Sequence, residues 1–341
     1  LIVFSDLHLR ESSEDACMKV LGAVGDLARK SDRRIVCCGD FWHIRYQVNV
    51  RLQNIVVKWL EALHALKIEI DIVPGNHDQV DVQGRNALEV FAGFPDVRVW
   101  TEPGVRNLYG FVPYRKDQAE VRRMLEAMGG PPKSHPAGLI FAHFGVGGSL
   151  MNNGTVDQSD FYVPSGLPPI VMGHYHKRQI GPPSTTPNVH PGWPAWQYVG
   201  SPYQTSFGEA GNQCGVLEII EGVFPTFIPL KLDIPEHHIL TWDPAASDTP
   251  PSRPGKPGDH VRLDIKASQE MIVSGKFKNV LKKYGLDDVQ VNVVPVAVAR
   301  EHKFAIQTGE ALKDAAARFA GERLEQGQDR QAVLAALGRW T

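Results

Sequence analysis

This 341-residue sequence predicts an α/β fold built on parallel strands. Three observations predict it. Short apolar runs alternate with helical, one-face-apolar stretches through the first third of the chain. Each run is closed by a polar block, which puts the reactive side chains at the carboxyl ends of the strands. The composition, 43% apolar and 22% charged, is that of a globular enzyme, and no run is long enough to span a membrane.

The elements follow in order. Leu1–Phe4 reads as a strand. Asp15–Lys30 reads as a helix with Met18, Leu21, Val24 and Leu27 on its apolar face. Arg34–Cys38 is a strand, and about Val48 to Leu66 a helix with Leu52, Ile55, Val56, Trp59, Leu60 and Leu63 inward. Ile68–Val73 completes a βαβαβ pattern. A surface helix follows at Gln118–Met128, then short strands at Leu139–Ala142, Ile170–Met172, Trp196–Val199, Val216–Ile220 and Phe224–Leu230. The loop Gly181–Trp196, with His190, Trp193 and Trp196, reads as a Pro-stiffened connection or as a substrate-facing loop.

Five polar blocks carry the chemistry: Asp6-Leu7-His8, Gly39-Asp40, Gly75-Asn76-His77-Asp78, His143, and Gly173-His174-Tyr175-His176. Residues two apart on an extended strand share a side, so Asp6 and His8 are expected to reach one ion. Asp40 has two oxygens and bridges. The expected sets are Asp6, His8, Asp40 and His176 on one metal, and Asp40, Asn76, His143 and His174 on the other. Oxygen and nitrogen donors without thiolate favour Mn, Fe or Zn. Such a pair activates water for attack on a phosphate ester. His77 is expected to contact the substrate phosphate or protonate the leaving oxygen, with Asp78 orienting it.

Net charge is −2, which argues mildly against nucleic acid, although Lys276, Lys278, Lys282 and Lys283 cluster. The four cysteines show no disulfide framework, which points to a reducing cytosol. The chain opens directly on its first strand, with no initiator Met and no signal peptide, which reads as a few leading residues missing.

In these blocks the chain resembles the calcineurin-like metallophosphoesterases over roughly residues 1 to 230. Two details resemble the SbcD-type branch, the relatives of the meiotic-recombination-eleven nuclease. One is His43, three residues past Asp40; the other is the segment Gln197–Glu209 around Gly200-Ser201-Pro202. The resemblance implies a two-sheet sandwich flanked by helices. It implies a Mn-dependent exonuclease and endonuclease acting on DNA ends and single-stranded DNA, with an SMC-like ATPase partner in double-strand-break processing. It also implies a homodimer, for which the Val48–Leu66 helix is a possible interface. His43 would place the strand end. A phosphatase on small molecules or proteins is the rival function, and a non-catalytic scaffold a weaker one, since no ligand is missing.

The expected domains are a nuclease domain over 1–242, a Pro-rich link over 243–259, an α+β capping module over 260–306 and C-terminal helices over 307–341. In the module, His260–Ile265 and Val289–Pro295 read as strands around a helix at Gln269–Tyr284. The resemblance implies that it touches DNA, through Lys276 and Lys283 on one helix face and Lys278 and Lys282 on another. A solvated surface helix is the alternative. The last helices carry two apolar stripes, Leu312 to Leu324 and Val333 to Trp340. They bind the ATPase or pack on the protein's own core.

Overall fold

A computed structural model describes residues 1–31, 34–43, 47–81, 85–128, 138–183, 193–220, 223–267, 276–286 and 288–295. The expected C-terminal helices, His190 and the side chain of Lys276 lie outside the described residues.

Two six-stranded sheets form the main body. The first contains β1 (Ile2–Phe4), β2 (Arg34–Cys37), β3 (Glu69–Ile72) and β4 (Val97–Val99), all parallel. In the second, β5 (Gly104–Arg106) forms a hairpin with β6 (Tyr109–Val112), which runs parallel to β7 (Leu139–His143). Beside β7 lie β8 (Ile170–Gly173), then β10 (Trp196–Tyr198), with β9 (Gln179–Ile180) at the edge. The antiparallel pair β11 (Gly215–Glu218) and β12 (Thr226–Pro229) returns to β1 and closes the first sheet.

Alternation along each strand builds the layers. On the first sheet Ile2, Phe4, Ile35, Cys37, Ile70 and Ile72 face outward onto α1 (Glu14–Lys30) and α2 (Val50–Ala65). Val3, Val36, Cys38 and Val73 face inward and meet Phe111, Phe141, Val171 and Val199 of the second sheet. The outer face of the second sheet packs on α3 (Gln118–Met128) through Val121, Met124, Leu125 and Met128. Adjacent Cys37 and Cys38 thus fall in different cores, and all four cysteines are free.

Several expectations are corrected. The centre of the buried α1 face is Cys17, Val20, Leu21, Val24 and Ala28; Met18 and Leu27 are only half-buried at its margins. Strands β4 and β5 were not legible as apolar runs, because each is a three-residue segment with an arginine in it and no fully buried position. The larger correction concerns the second unit. β13 (His237–Trp242) pairs in parallel with β14 (His260–Ala267), which pairs with β15 (Gln290–Pro295). The link 243–259 therefore joins two strands of one sheet instead of dividing two domains at 242. α4 (Lys276–Lys283) covers that sheet, with Leu281 and Leu286 against Trp242, Leu263 and Ile265. Among the described residues no helix is long and apolar enough to cross a membrane.

Candidate metal centre

The carboxyl ends of β1, β2, β3, β7 and β8 converge, and their polar blocks meet there. The backbone pays for this meeting with strain. Asp6, His8, Asp40 and His174 take positive φ values of 54°, 49°, 51° and 111°. For non-glycine residues each such conformation costs on the order of 1–3 kcal/mol and persists where the surroundings over-determine it. The extended-strand account of Asp6 and His8 is corrected accordingly: β1 ends at Phe4, and both residues bend away from it. Hydrogen bonds from Asp6 N to Gly39 O (2.9 Å) and His8 N to Asp40 O (2.9 Å) hold the bent segment against the end of β2. Gly75 lets the third block close in, because a Cβ there would overlap Asp40 Oδ1.

Two clusters of donors result, with Asp40 between them. At the first position His8 Nε2 and His176 Nε2 lie 3.0 Å apart, His8 Nε2 is 3.7 Å from Asp40 Oδ2, and His176 Nε2 is 4.0 Å from Asp6 Oδ1. At the second, Asn76 Oδ1 lies 3.1 Å from His143 Nε2 and 2.9 Å from His174 Nδ1, and Asp40 Oδ1 is 3.5 Å from His143 Nε2. One oxygen of Asp40 faces each cluster. Asp6, His8 and His176, and likewise Asp6, Asp40 and His143, each bring their donor atoms within 4.8 Å of one another. A third group, His8, His43 and His77, is equally close, and Asp6 stands beside both His176 and Asp40 with His143, where the expected sets kept Asp6 to the first ion.

The tautomers suit cation binding. His143 Nδ1 donates to Cys38 O at 2.7 Å and His176 Nδ1 to Glu209 Oε1 at 2.6 Å, which leaves both Nε2 atoms for an ion. Burial opposes a charged His143, but the carboxylates of Asp40 and Asp6 outweigh it and raise its pKa to about 9. A cation entering the second position therefore displaces a proton from His143 at neutral pH. Burial lowers the pKa of His174 to about 3, so that ring enters neutral. Burial opposes ionisation of Asp40, but His143 and His8 hold its carboxyl below the usual range. The donor set thus fits two divalent cations.

His77 borders the first position, with its ring 4.7 Å from that of His8. Its Nδ1 donates to His43 O at 2.9 Å, and its backbone N–H donates to Asp40 Oδ1 at 2.8 Å. Asp78 does not orient it, which corrects the sequence expectation. Asp78 is fully buried and accepts from Gly75 N (2.8 Å), Trp42 N (2.9 Å) and Phe41 N (3.3 Å), stitching the second block to the third. Burial and the nearby Asp40 push its pKa up to about 7. His43 stacks on His77 at 5.6 Å and 19°.

Sequence reasoning missed two residues here. Arg10 Nη1 donates to His43 Nε2 at 3.0 Å, bringing a fixed cation to this edge. Its only sequence signal is its position two residues past His8. Glu209 is the other. Beyond His176 it accepts from Ser201 Oγ (3.0 Å) and Thr205 N (2.9 Å) and is 1% exposed, too buried for a carboxylate without partners. The Gly-Ser-Pro segment thus helps to hold the carboxylate that orients the His176 imidazole. Glu209→Gln is expected to weaken cation binding at the first position about 10- to 100-fold. Metal titration checks it, and unchanged affinity would reduce Glu209 to packing.

Of the basic cluster, Lys278, Lys282 and Lys283 are exposed on α4.

The calcineurin-like phosphoesterase family model matches residues 1–178 of the 341, and the chain belongs to that family. It is a metal-dependent hydrolase fold whose members hold a dinuclear divalent centre. Among solved structures, the nuclease MPE of Pseudomonas putida is similar at 15% identity, with a TM-score of 0.25. The match covers 52% of this chain and 61% of that one, less than two thirds of its length. No curated protein matches the sequence.

Proposed function

We propose that this chain is a DNA nuclease of the SbcD type, an exonuclease and endonuclease subunit that uses Mn to process DNA ends. The observation that carries this is the edge of the first metal position. There Arg10, His43 and His77 line up beside Asp40, forming more donor surface than the two ions themselves require. A phosphodiester keeps a second ester arm after it reaches the ions, and this edge gives that arm a place.

A divalent pair, when bound, supplies Lewis acidity and an activated water. The chain's own groups do the rest. His77 has its Nδ1 proton committed to His43 O, so Nε2 is the atom that meets the phosphate or the leaving oxygen. Arg10 fixes the ring of His43 and adds positive charge where the anionic strand approaches. Exposed Lys278, Lys282 and Lys283 extend that charge toward DNA, and an SMC-like ATPase and a homodimeric assembly through α2 belong to the same proposal.

Digestion of end-labelled duplex and of single-stranded DNA with Mn tests it. His43→Ala is expected to slow digestion from duplex ends about 10- to 100-fold, the loss of one charge-assisted contact, and to affect internal cutting of a single strand far less. Equal activity of this variant and the wild type on both substrates removes His43 from the function. Cleavage of phosphomonoesters alone, with no DNA cut, replaces the nuclease with a phosphatase.

A further inference from the structure

The second metal position has a neighbour of its own. His174 forms one wall of a cavity of about 170 Å³ that opens to solvent. Tyr114, just past β6, stacks on His174 at 6.3 Å and 25°, so the cavity begins at the face of a metal-binding ring. Phe144 and Phe161, in edge contact at 5.5 Å, make its apolar floor. Opposite them Tyr175 Oη donates to Asp157 Oδ2 at 2.6 Å, and Asp157 Oδ1 accepts from Ser159 N at 2.8 Å. The exposed Lys116 stands at the mouth.

These walls have the chemistry of a heterocycle site. The lining combines aromatic rings, a carboxylate and a hydroxyl with the cations Arg115 and Lys116. The volume is well above the roughly 10–15 Å³ that admits one water on the same measure, and gives room for a planar ring system. The position matters as much as the chemistry. A diester held at both positions would have Arg10, His43 and His77 at one end and His174 with this cavity at the other.

We propose that the cavity beside His174 and Tyr114 seats the nucleobase on one side of the scissile phosphate. This rests on the nuclease function argued above and adds to it how the strand is held. A base seated there has left the duplex stack, so single-stranded or frayed DNA is the favoured substrate.

The test uses single-stranded oligonucleotides with one cleavable linkage, the other linkages being methylphosphonates. An abasic residue is placed on the 5′ or the 3′ side of the cleavable one. With Mn and the full chain, the abasic residue on one side is expected to lower kcat/KM about 5- to 150-fold, the range of base–aromatic stacking, and on the other side much less. Ser159→Trp, which fills the cavity, should lower cleavage of the intact strand by a similar factor and bring the intact-to-abasic ratio close to one. If DNA is cut and neither abasic position changes kcat/KM by more than twofold, the cavity assignment is wrong while the nuclease stands. That wild-type comparison holds even if the tryptophan variant does not fold. If the wild type hydrolyses a nitrophenyl phosphate monoester and no oligonucleotide, the nuclease reading falls and the base site with it.

Discussion

Asp40→Ala is expected to abolish hydrolysis and to leave the protein unable to hold two metal equivalents. Asp40 has an oxygen toward each donor cluster, 3.7 Å from His8 Nε2 on one side and 3.5 Å from His143 Nε2 on the other. Without it, both positions lose an anionic ligand at once, and two dications face each other with only Asp6 to offset them. A catalytic metal contributes several kcal/mol of charge stabilisation, so at about 1.36 kcal/mol per tenfold the loss is about 10³-fold or more. Asp40 also accepts the backbone N–H of His77 at 2.8 Å, so alanine disturbs the third block as well. Asp40→Asn separates the two effects, because the amide oxygen keeps that hydrogen bond but has neither the charge nor the second anionic oxygen. Metal analysis and thermal melting of both variants check the prediction. Two full metal equivalents with near-normal turnover in Asp40→Asn would sink the dinuclear centre.

Much of this centre was legible in the sequence because its information is local. A short apolar run followed by a Gly-bounded acidic or imidazole block says both that a strand ends and what stands at its end. That sufficed to bring Asp6, His8, Asp40, Asn76, His143, His174 and His176 to one place. What failed was the conformational detail. Asp6 and His8 meet through two left-handed residues, an arrangement that no side-chain periodicity records. Asp78 was misread because adjacency to His77 suggested contact, whereas the turn after β3 sends its carboxylate back onto the N–H groups of Phe41 and Trp42.

The groups that hold the ligands were illegible for a different reason: their partners are far away in sequence. Glu209 is 33 residues from His176. It sits on the short turn Phe207–Glu209, whose Phe207 ring packs on His237 of β13 at 4.9 Å and lies under Arg262 of β14 at 5.3 Å. His237 N also donates to Gln204 Oε1 at 2.6 Å. The three-stranded module is therefore seated on the turn that aims a metal-binding imidazole. That is also why the boundary at 242 misled. A Pro-rich composition marks where chain leaves regular structure, and it does not say on which side of the break the sheet closes.

His77→Asn is expected to keep both metals and lose most of the activity. The two properties part because of how the ring is held. Its Nδ1–H is spent on His43 O, and its ring borders the first position beside His8 and His43, whose ring nitrogens lie within 4.8 Å of its own. Asparagine can reproduce the donor to His43 O with its amide N–H, while the ring stacked on His43 and its Nε2 atom are removed. General acid or base groups contribute roughly 10²–10⁴-fold, and a loss of that size in kcat is expected with metal content unchanged. The sharpest substrate pair is a diester with a poor alkoxide leaving group, as in DNA, against one with a nitrophenolate. The poor leaving group needs the proton and should suffer far more from the substitution. Equal losses on both esters would assign His77 to holding the phosphate, and loss of metal together with activity would make it a ligand after all.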